Sequence, residues 1–276
     1  MPEGHTLHRL ASSLGDAFAG RPVRVSSPQG RFAADAALVD GQPVVASESA
    51  GKHLFIEFPG DRFIHVHLGL IGRFDVRPGP AGAPVGEVRL RLQNETAYAD
   101  LRGATQCDLV SLARHDQILG ALGPDPLRAD ADPMVAWARI GRSNRPIGDL
   151  LMDQKVLAGV GNIYRAEVLF RHRVHPLRPG RTLRVGQFRA MWHDLVMLMH
   201  EGVLSGRIDT VRPEHTPEAM GRPPRVDGHG GEVYVYRRAG QPCLVCGTKV
   251  RTAELSGRNL FWCSRCQPTF RSRAVR

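Results

Sequence analysis

The sequence predicts an α+β protein, with an N-terminal antiparallel β-sandwich lobe behind a leading helix, then a helical lobe that ends in a four-cysteine finger. Three observations predict it. Leu7, Leu10, Ala11, Leu14 and Phe18 recur at helical spacing. From Val23 to about Leu112 the period shortens to two, in runs such as Leu54 to Phe58, Arg62 to Leu68 and Val88 to Leu92, with turns such as Pro59-Gly60-Asp61 between them. Near the end, two Cys-x2-Cys knuckles, Cys243 with Cys246 and Cys263 with Cys266, bracket a basic hairpin-like stretch.

At 276 residues and 42% hydrophobic content, the chain has material for two domains with real cores. No run approaches the length of a membrane-spanning helix and no charged-then-apolar leader begins it, so a cytoplasmic location without membrane partners is expected.

The first residues read Met1-Pro2-Glu3-Gly4. Trimming of Met1 ahead of the small Pro2 would leave a secondary amine. An α-amine has a reference pKa of about 7.7–8.0 against about 10.4 for lysine, so more of it is nucleophilic at neutral pH. Added to an aldehyde-level carbon, it gives an iminium with no N–H to lose, a permanent electron sink. Glu3 beside it could serve as acid or base. Taken alone, Pro2 and Glu3 read more simply as a helix start.

Within the β region, Lys52 in Gly51-Lys52-His53 reads by itself as a surface lysine. His65 and His67 share a strand face opposite Val66, as ligands, phosphate contacts or core groups. Cys107 reads as a small core hydrophobe. The Pro- and Asp-rich stretch from Gly120 to Pro133 reads as a hinge. Beyond it the pattern is helical over Ile147 to about Val156, Asn162 to His172 and Leu183 to about Leu204. The Gly159-Val160-Gly161 turn between the first two brings backbone close to a phosphate, with Asn162 as a helix cap and Lys155 and Arg165 as basic neighbours. Residues 206 to 232, rich in Pro, Gly and His, read as a long flexible loop. The expected domains are 1–112, a hinge at 113–133, a helical domain at 134–236 and the finger at 237–276.

Two Cys-x2-Cys turns supply four soft ligands, the set for one closed structural zinc ion per chain, with no open position for metal chemistry. Disulfides are the alternative, disfavoured in a reducing compartment. The metal-ordered segment is also where charge gathers. From Arg237 to Arg276 nine basic residues face one acid, Glu254, so it carries +8 of the chain's formal +10. Such a field suits a polyanion, above all nucleic acid.

In this order, Met1-Pro2-Glu3-Gly4, Gly51-Lys52-His53-Leu54, His67-Leu68-Gly69-Leu70, Leu122-Gly123-Pro124-Asp125-Pro126-Leu127, the Asp153-Gln154-Lys155 to Asn162-Ile163-Tyr164 block, and Gly257-Arg258 before the second knuckle and Gln267 resemble the formamidopyrimidine-DNA glycosylase and endonuclease VIII family over nearly the whole chain. The resemblance implies a β-sandwich lobe and a helix-two-turn-helix lobe with a zinc finger, gripping damaged DNA in the cleft between them, in a monomer that works in base excision repair. By this likeness Pro2 is the nucleophile at C1′ and Glu3 its acid/base partner. Lys52 contacts the phosphate beside the lesion and aids elimination. His67, Lys155 and Asn162 touch DNA, Leu70 is the apolar wedge, and Arg258 grips the flanking phosphate and aids the second elimination. Thr6 stands where the family often has a glutamate. Leu101-Arg102-Gly103-Ala104-Thr105 lacks the Arg-Phe pair of the formamidopyrimidine branch, and Gly4 replaces that branch's leucine. The chain thus resembles the endonuclease VIII branch more closely, with oxidised pyrimidines ahead of 8-oxoguanine. A non-catalytic binder of damaged DNA and an RNA-binding module are the competing readings.

Overall fold

The computed structural model describes residues 2–227 and 231–270, which divide into two compact units that meet in the chain between Ala121 and Leu122. Met1, residues 228–230 of the expected loop, and Arg271, Arg273 and Arg276 lie outside the described residues.

The first unit opens with helix α1 (Gly4–Phe18), whose buried face is Leu7, Leu10, Ala11, Leu14 and Phe18, the stripe that the spacing predicts. Strand β1 (Arg24–Ser26) and the short helix α2 (Ala33–Ala37) lead to strands β2 (Ala46–Ala50), β3 (His53–Phe58), β4 (Arg62–His67), β5 (Arg73–Pro78), β6 (Val88–Gln93), β7 (Ala97–Arg102) and β8 (Gln106–Ser111). They form two four-stranded antiparallel sheets, ordered β1-β6-β7-β5 and β2-β3-β4-β8. One apolar core joins both sheets and α1, through residues such as Leu14, Leu54, Ile64, Leu90 and Leu101. Cys107 lies in it with 1% of its surface exposed, and burial pushes its thiol up to about 12, so it is the inert core group expected. Helix α3 (Leu112–Gly120) occupies the start of the stretch expected as a hinge and belongs to the first unit.

The remainder of that stretch belongs to the second unit. Gly123 donates to the Gln154 carbonyl at 2.9 Å and Ala158 to the Pro124 carbonyl at 3.1 Å, while Asp125 is buried. Helix α4 (Pro133–Ile140) starts where Asp132 caps the Met134 N–H and Pro133 sets the first turn. Helix α5 (Ile147–Leu150) is shorter than the expected run to Val156. Side chains explain the difference: Asp153 accepts from the Lys155 N–H, and Gln154 accepts from Gly159 and donates to the Met152 and Val160 carbonyls. These bonds offer the backbone a folded turn in place of a helix. Helices α6 (Asn162–Arg171) and α7 (Val185–Ser205) follow as the apolar spacing predicts, α7 ending at left-handed Gly206.

The expected flexible loop over 206–232 holds more structure than its composition foretold. It contains a 3-10 turn at Pro213–His215 and helix α8 (Pro217–Met220). Thr210 donates to the Glu232 carbonyl at 2.8 Å, and Arg222 pairs with the Glu232 carboxylate at 2.6 Å. The finger itself is a hairpin of β9 (Arg251–Leu255) and β10 (Arg258–Trp262). Its cysteines, Val250 and Phe261 share one core with the helices. Among the described residues no helix is long and apolar enough to cross a membrane.

Glu167 ties this unit together. Its carboxylate is fully buried and accepts the N–H groups of Tyr234, Val235 and Tyr236 at 2.6–2.9 Å and the Thr210 hydroxyl at 2.6 Å. Glu167→Ala would strand those donors, so we expect a loss of about 3–5 kcal/mol in unfolding free energy, read by urea titration. A loss under about 1 kcal/mol would show that these bonds add little to stability.

Candidate DNA-repair active site and its zinc finger

In the first unit, α1 begins at Gly4, so Glu3 is its extended N-cap residue and Pro2 precedes it. Glu3 is fully buried and Pro2 half-buried. The docked face of α1 fixes both, since the helix packs on β2, β3 and β5. Lys52 lies in the two-residue turn joining β2 to β3, where Ala50 pairs with His53 and Gly51 takes the left-handed φ of 59°.

His67 closes β4. Its Nδ1 accepts from the Gly69 N–H at 3.2 Å and lies 3.1 Å from the Thr105 hydroxyl, which leaves Nε2 to carry the ring proton. Burial, and then the charge of Lys52, hold this imidazole below its ordinary pKa, so it is neutral. The next turn displays Leu70 and Ile71, 52% and 81% exposed side by side. Leu70, expected as the apolar wedge, is thus exposed at the turn, and Ile71, which the sequence did not single out, stands exposed beside it.

His65 is no ligand. It is buried, stacks on Phe55 at 4.7 Å and shares a 2.9 Å hydrogen bond with His53. Burial drives the pKa of His53 down to about 3 and of His65 to about 4.

In the second unit Asn162 is the first residue of α6, and the N-cap position belongs to Gly161. The expected cap is therefore corrected: the Asn162 Nδ2 donates to the Asn259 carbonyl at 3.1 Å, and its Oδ1 accepts from Arg165. Arg165, expected beside a phosphate, is 1% exposed and spends its guanidinium on Gly148, Asn162 and Asn259. Lys155 is exposed in the turn before α6. Arg258 begins β10 after the turn of Ser256 and Gly257, with φ of 51° and 71°. Its side chain is exposed and, among the described residues, has no hydrogen-bond or ion-pair partner.

At the base of that hairpin the sulfurs of Cys243, Cys246, Cys263 and Cys266 all lie within 4.8 Å of one another. Four thiols so close, three of them buried, fit one tetrahedral ion. The Gln267 side chain accepts from the Cys263 N–H at 3.0 Å and donates to the Val174 carbonyl at 2.9 Å, which fastens the second knuckle to the helices.

A β-sandwich that carries a proline at position 2, with a helical unit and a four-cysteine finger that carry exposed cations, fits the class of zinc-finger DNA glycosylases. Residues 1–107 match the family model for the formamidopyrimidine-DNA glycosylase N-terminal domain, 122–212 its H2TH domain, and 240–269 the zinc finger found in FPG and IleRS. The chain is 52% identical to endonuclease 8 1 of Mycobacterium tuberculosis, covering 97% of this chain and 100% of the relative. It is 33% identical to the formamidopyrimidine-DNA glycosylase of Thermus thermophilus, over 84% and 85% of the two chains. The fold matches that of Lactococcus lactis Fpg in complex with DNA containing an abasic site, with a TM-score of 0.79, 19% identity, and 97% and 100% of the chains covered. The chain belongs to the formamidopyrimidine-DNA glycosylase and endonuclease 8 family.

The histidine stack carries a pH dependence. Native His53 and His65 resist protonation down to about 3 and 4, while the unfolded chain takes up protons below 6.5, so stability falls as pH drops through that window. Melting temperature should decline from pH 6.5 toward 4, and less steeply in His65→Gln. Superimposable profiles for the two proteins would remove the stack as the cause.

Proposed function

We propose that the protein is a bifunctional DNA glycosylase and abasic-site lyase that removes oxidised bases, pyrimidines ahead of 8-oxoguanine, and cuts the strand by β,δ-elimination. The observation that carries this reading is Pro2 itself, held by a docked helix directly before a fully buried carboxylate, Glu3. The 52% identity to an endonuclease 8, against 33% to a formamidopyrimidine-DNA glycosylase, supports the pyrimidine preference.

Removal of Met1 frees the Pro2 nitrogen. Its lone pair attacks C1′ of the damaged nucleotide, the base leaves with a proton, and the ring-opened sugar becomes a Pro2 iminium. That cation makes the C2′ proton acidic. Its removal by a base, Glu3 in this reading, expels the 3′ phosphate, and loss of the C4′ proton then expels the 5′ phosphate. The nucleotide must first leave the stack, at a cost of a few kcal/mol that damage lowers, and Leu70 fills the space. Lys52, His67, Lys155, Asn162 and Arg258 hold backbone phosphates. Binding therefore weakens steeply with salt. The four cysteines hold one structural Zn2+, which supplies folding energy to the finger and no reaction step. The protein works as a monomer in the cytoplasm, associated with the nucleoid when bound to DNA.

Borohydride trapping on duplex DNA with an abasic site tests this. We expect an adduct on Pro2 by mass spectrometry, severe loss of adduct in Pro2→Gly, and none when Met1 is retained. In Arg258→Ala the δ-product should fall about 10- to 100-fold while β-product persists, the loss of one charge-assisted phosphate contact. Tight binding with no adduct would leave a non-catalytic binder; an adduct on another residue would remove the Pro2 mechanism. For the finger, Cys246→Ser should lower bound zinc, read by atomic absorption, and reduce DNA affinity with it. Parental metal content in that variant would refute the four-thiolate site.

A further inference from the structure

We propose that Arg165 is a positioning residue for strand cleavage: its buried guanidinium sets both the Asn162 amide and the backbone beside Arg258, so that the two side chains present donors to DNA phosphate. This rests on the reading of Asn162 and Arg258 as phosphate contacts.

Arg165 projects from the first turn of α6 and is 1% exposed. Its Nη1 donates to the Gly148 carbonyl at 3.2 Å. Its Nη2 donates to the Asn259 carbonyl at 3.0 Å and to the Asn162 Oδ1. Burying a guanidinium is costly even when its donors are satisfied, and an apolar side chain of similar volume would fill the space with less desolvation. The arrangement makes sense if the cation specifies something.

What it specifies follows from the donor inventory. A guanidinium offers N–H groups and no acceptor, so only the oxygen of an amide can face it. The two ends of an asparagine amide have the same shape and opposite hydrogen-bonding character. With Oδ1 committed to Arg165, the NH2 group must turn away. One of its hydrogens goes to the Asn259 carbonyl at 3.1 Å, and among the described residues no partner takes the second, although the residue is only 6% exposed. Flipped, the same residue would offer a phosphate its oxygen and repel it.

The second consequence runs through Asn259. Its carbonyl accepts from both Arg165 and Asn162, and it is the residue after Arg258 on β10. The backbone from which the free Arg258 side chain springs is therefore clamped to the head of α6. In the sequence Arg165 is a basic neighbour of a glycine turn that could approach a phosphate; the geometry instead makes it the support behind Asn162 and Arg258.

Arg165→Met keeps the length of the side chain and removes its donors. Arg165→Met, Arg165→Lys, Arg258→Ala and the double variant Arg165→Met/Arg258→Ala are compared on duplex DNA with an abasic site. Zinc content and melting temperature report folding, borohydride trapping reports Pro2 chemistry, and the β:δ product ratio reports the second elimination. In metal-replete Arg165→Met we expect trapping within about threefold of the parent and δ-product down about tenfold, the loss of charge-assisted hydrogen bonds. The double variant should lose less δ-product than the two single losses multiplied together, because the two changes share the Arg258 contact. If Arg165→Met fails to fold, Arg165→Lys decides, since a single ammonium cannot span three acceptors in the same fork; its δ-product should drop about threefold. A parental β:δ ratio in either folded variant overturns the proposal, as does an equal loss of trapping and δ-elimination. A parental ratio in Arg258→Ala would instead sink the phosphate role of Arg258, whatever Arg165 does.

Discussion

The buried carboxylate of Glu167 is the constraint on which the second unit depends. A charge with no solvent contact is tolerable where donors surround it, and here three successive N–H groups, of Tyr234, Val235 and Tyr236, converge on it with the Thr210 hydroxyl. Those donors flank the excursion from 211 to 232 and lead into the finger. Helix α6 thus anchors the excursion at both ends from Glu167, while its first residue, Asn162, bonds to the finger hairpin. One short helix therefore ties the excursion and the finger hairpin to the same core.

Arginines on this frame meet opposite fates according to what reaches them. Arg171 is bound bidentately by Asp194 at 2.7 Å, and Arg91 in the first unit is held by Asp100 at 2.7 and 2.8 Å. Arg165 is consumed by carbonyl oxygens, whereas Arg258 is left exposed. A formal charge of +10 therefore overstates the positive groups free to meet a polyanion and says nothing about which they are. The neutral His67 beside Lys52 shows the same sorting: burial has removed its charge and left a hydrogen-bond donor.

Signals that are local in the chain were legible. Alternation gave the strands, 3.6-residue spacing gave α1 and α7, and the knuckle spacing gave a thiol cluster whose sulfurs do converge. Signals carried by distant partners were not. Arg165 looks like any basic residue near a glycine turn until Asn259, 94 positions on, supplies an acceptor. Glu167 looks like a solvated helix glutamate, because its partners lie 43 to 69 positions away. The end of α5 was misplaced for a subtler reason: Asp153 and Gln154 fold back on nearby backbone, which apolar periodicity does not register. The excursion over 206–232 was misjudged because polar composition is shared by solvated loops and by segments pinned through ion pairs such as Arg222 with Glu232.

The tip of the finger hairpin has one more implication. With both turn residues, Ser256 and Gly257, at positive φ, the two strands meet in the tightest connection a hairpin allows, and its twist matches theirs. Arg258 therefore follows the turn directly and pairs with Leu255 across the hairpin, with no unpaired residue between. Ordering the Arg258 side chain there costs the entropy of one side chain, roughly 2 kcal/mol at most, where a longer connection would forfeit backbone freedom at every residue.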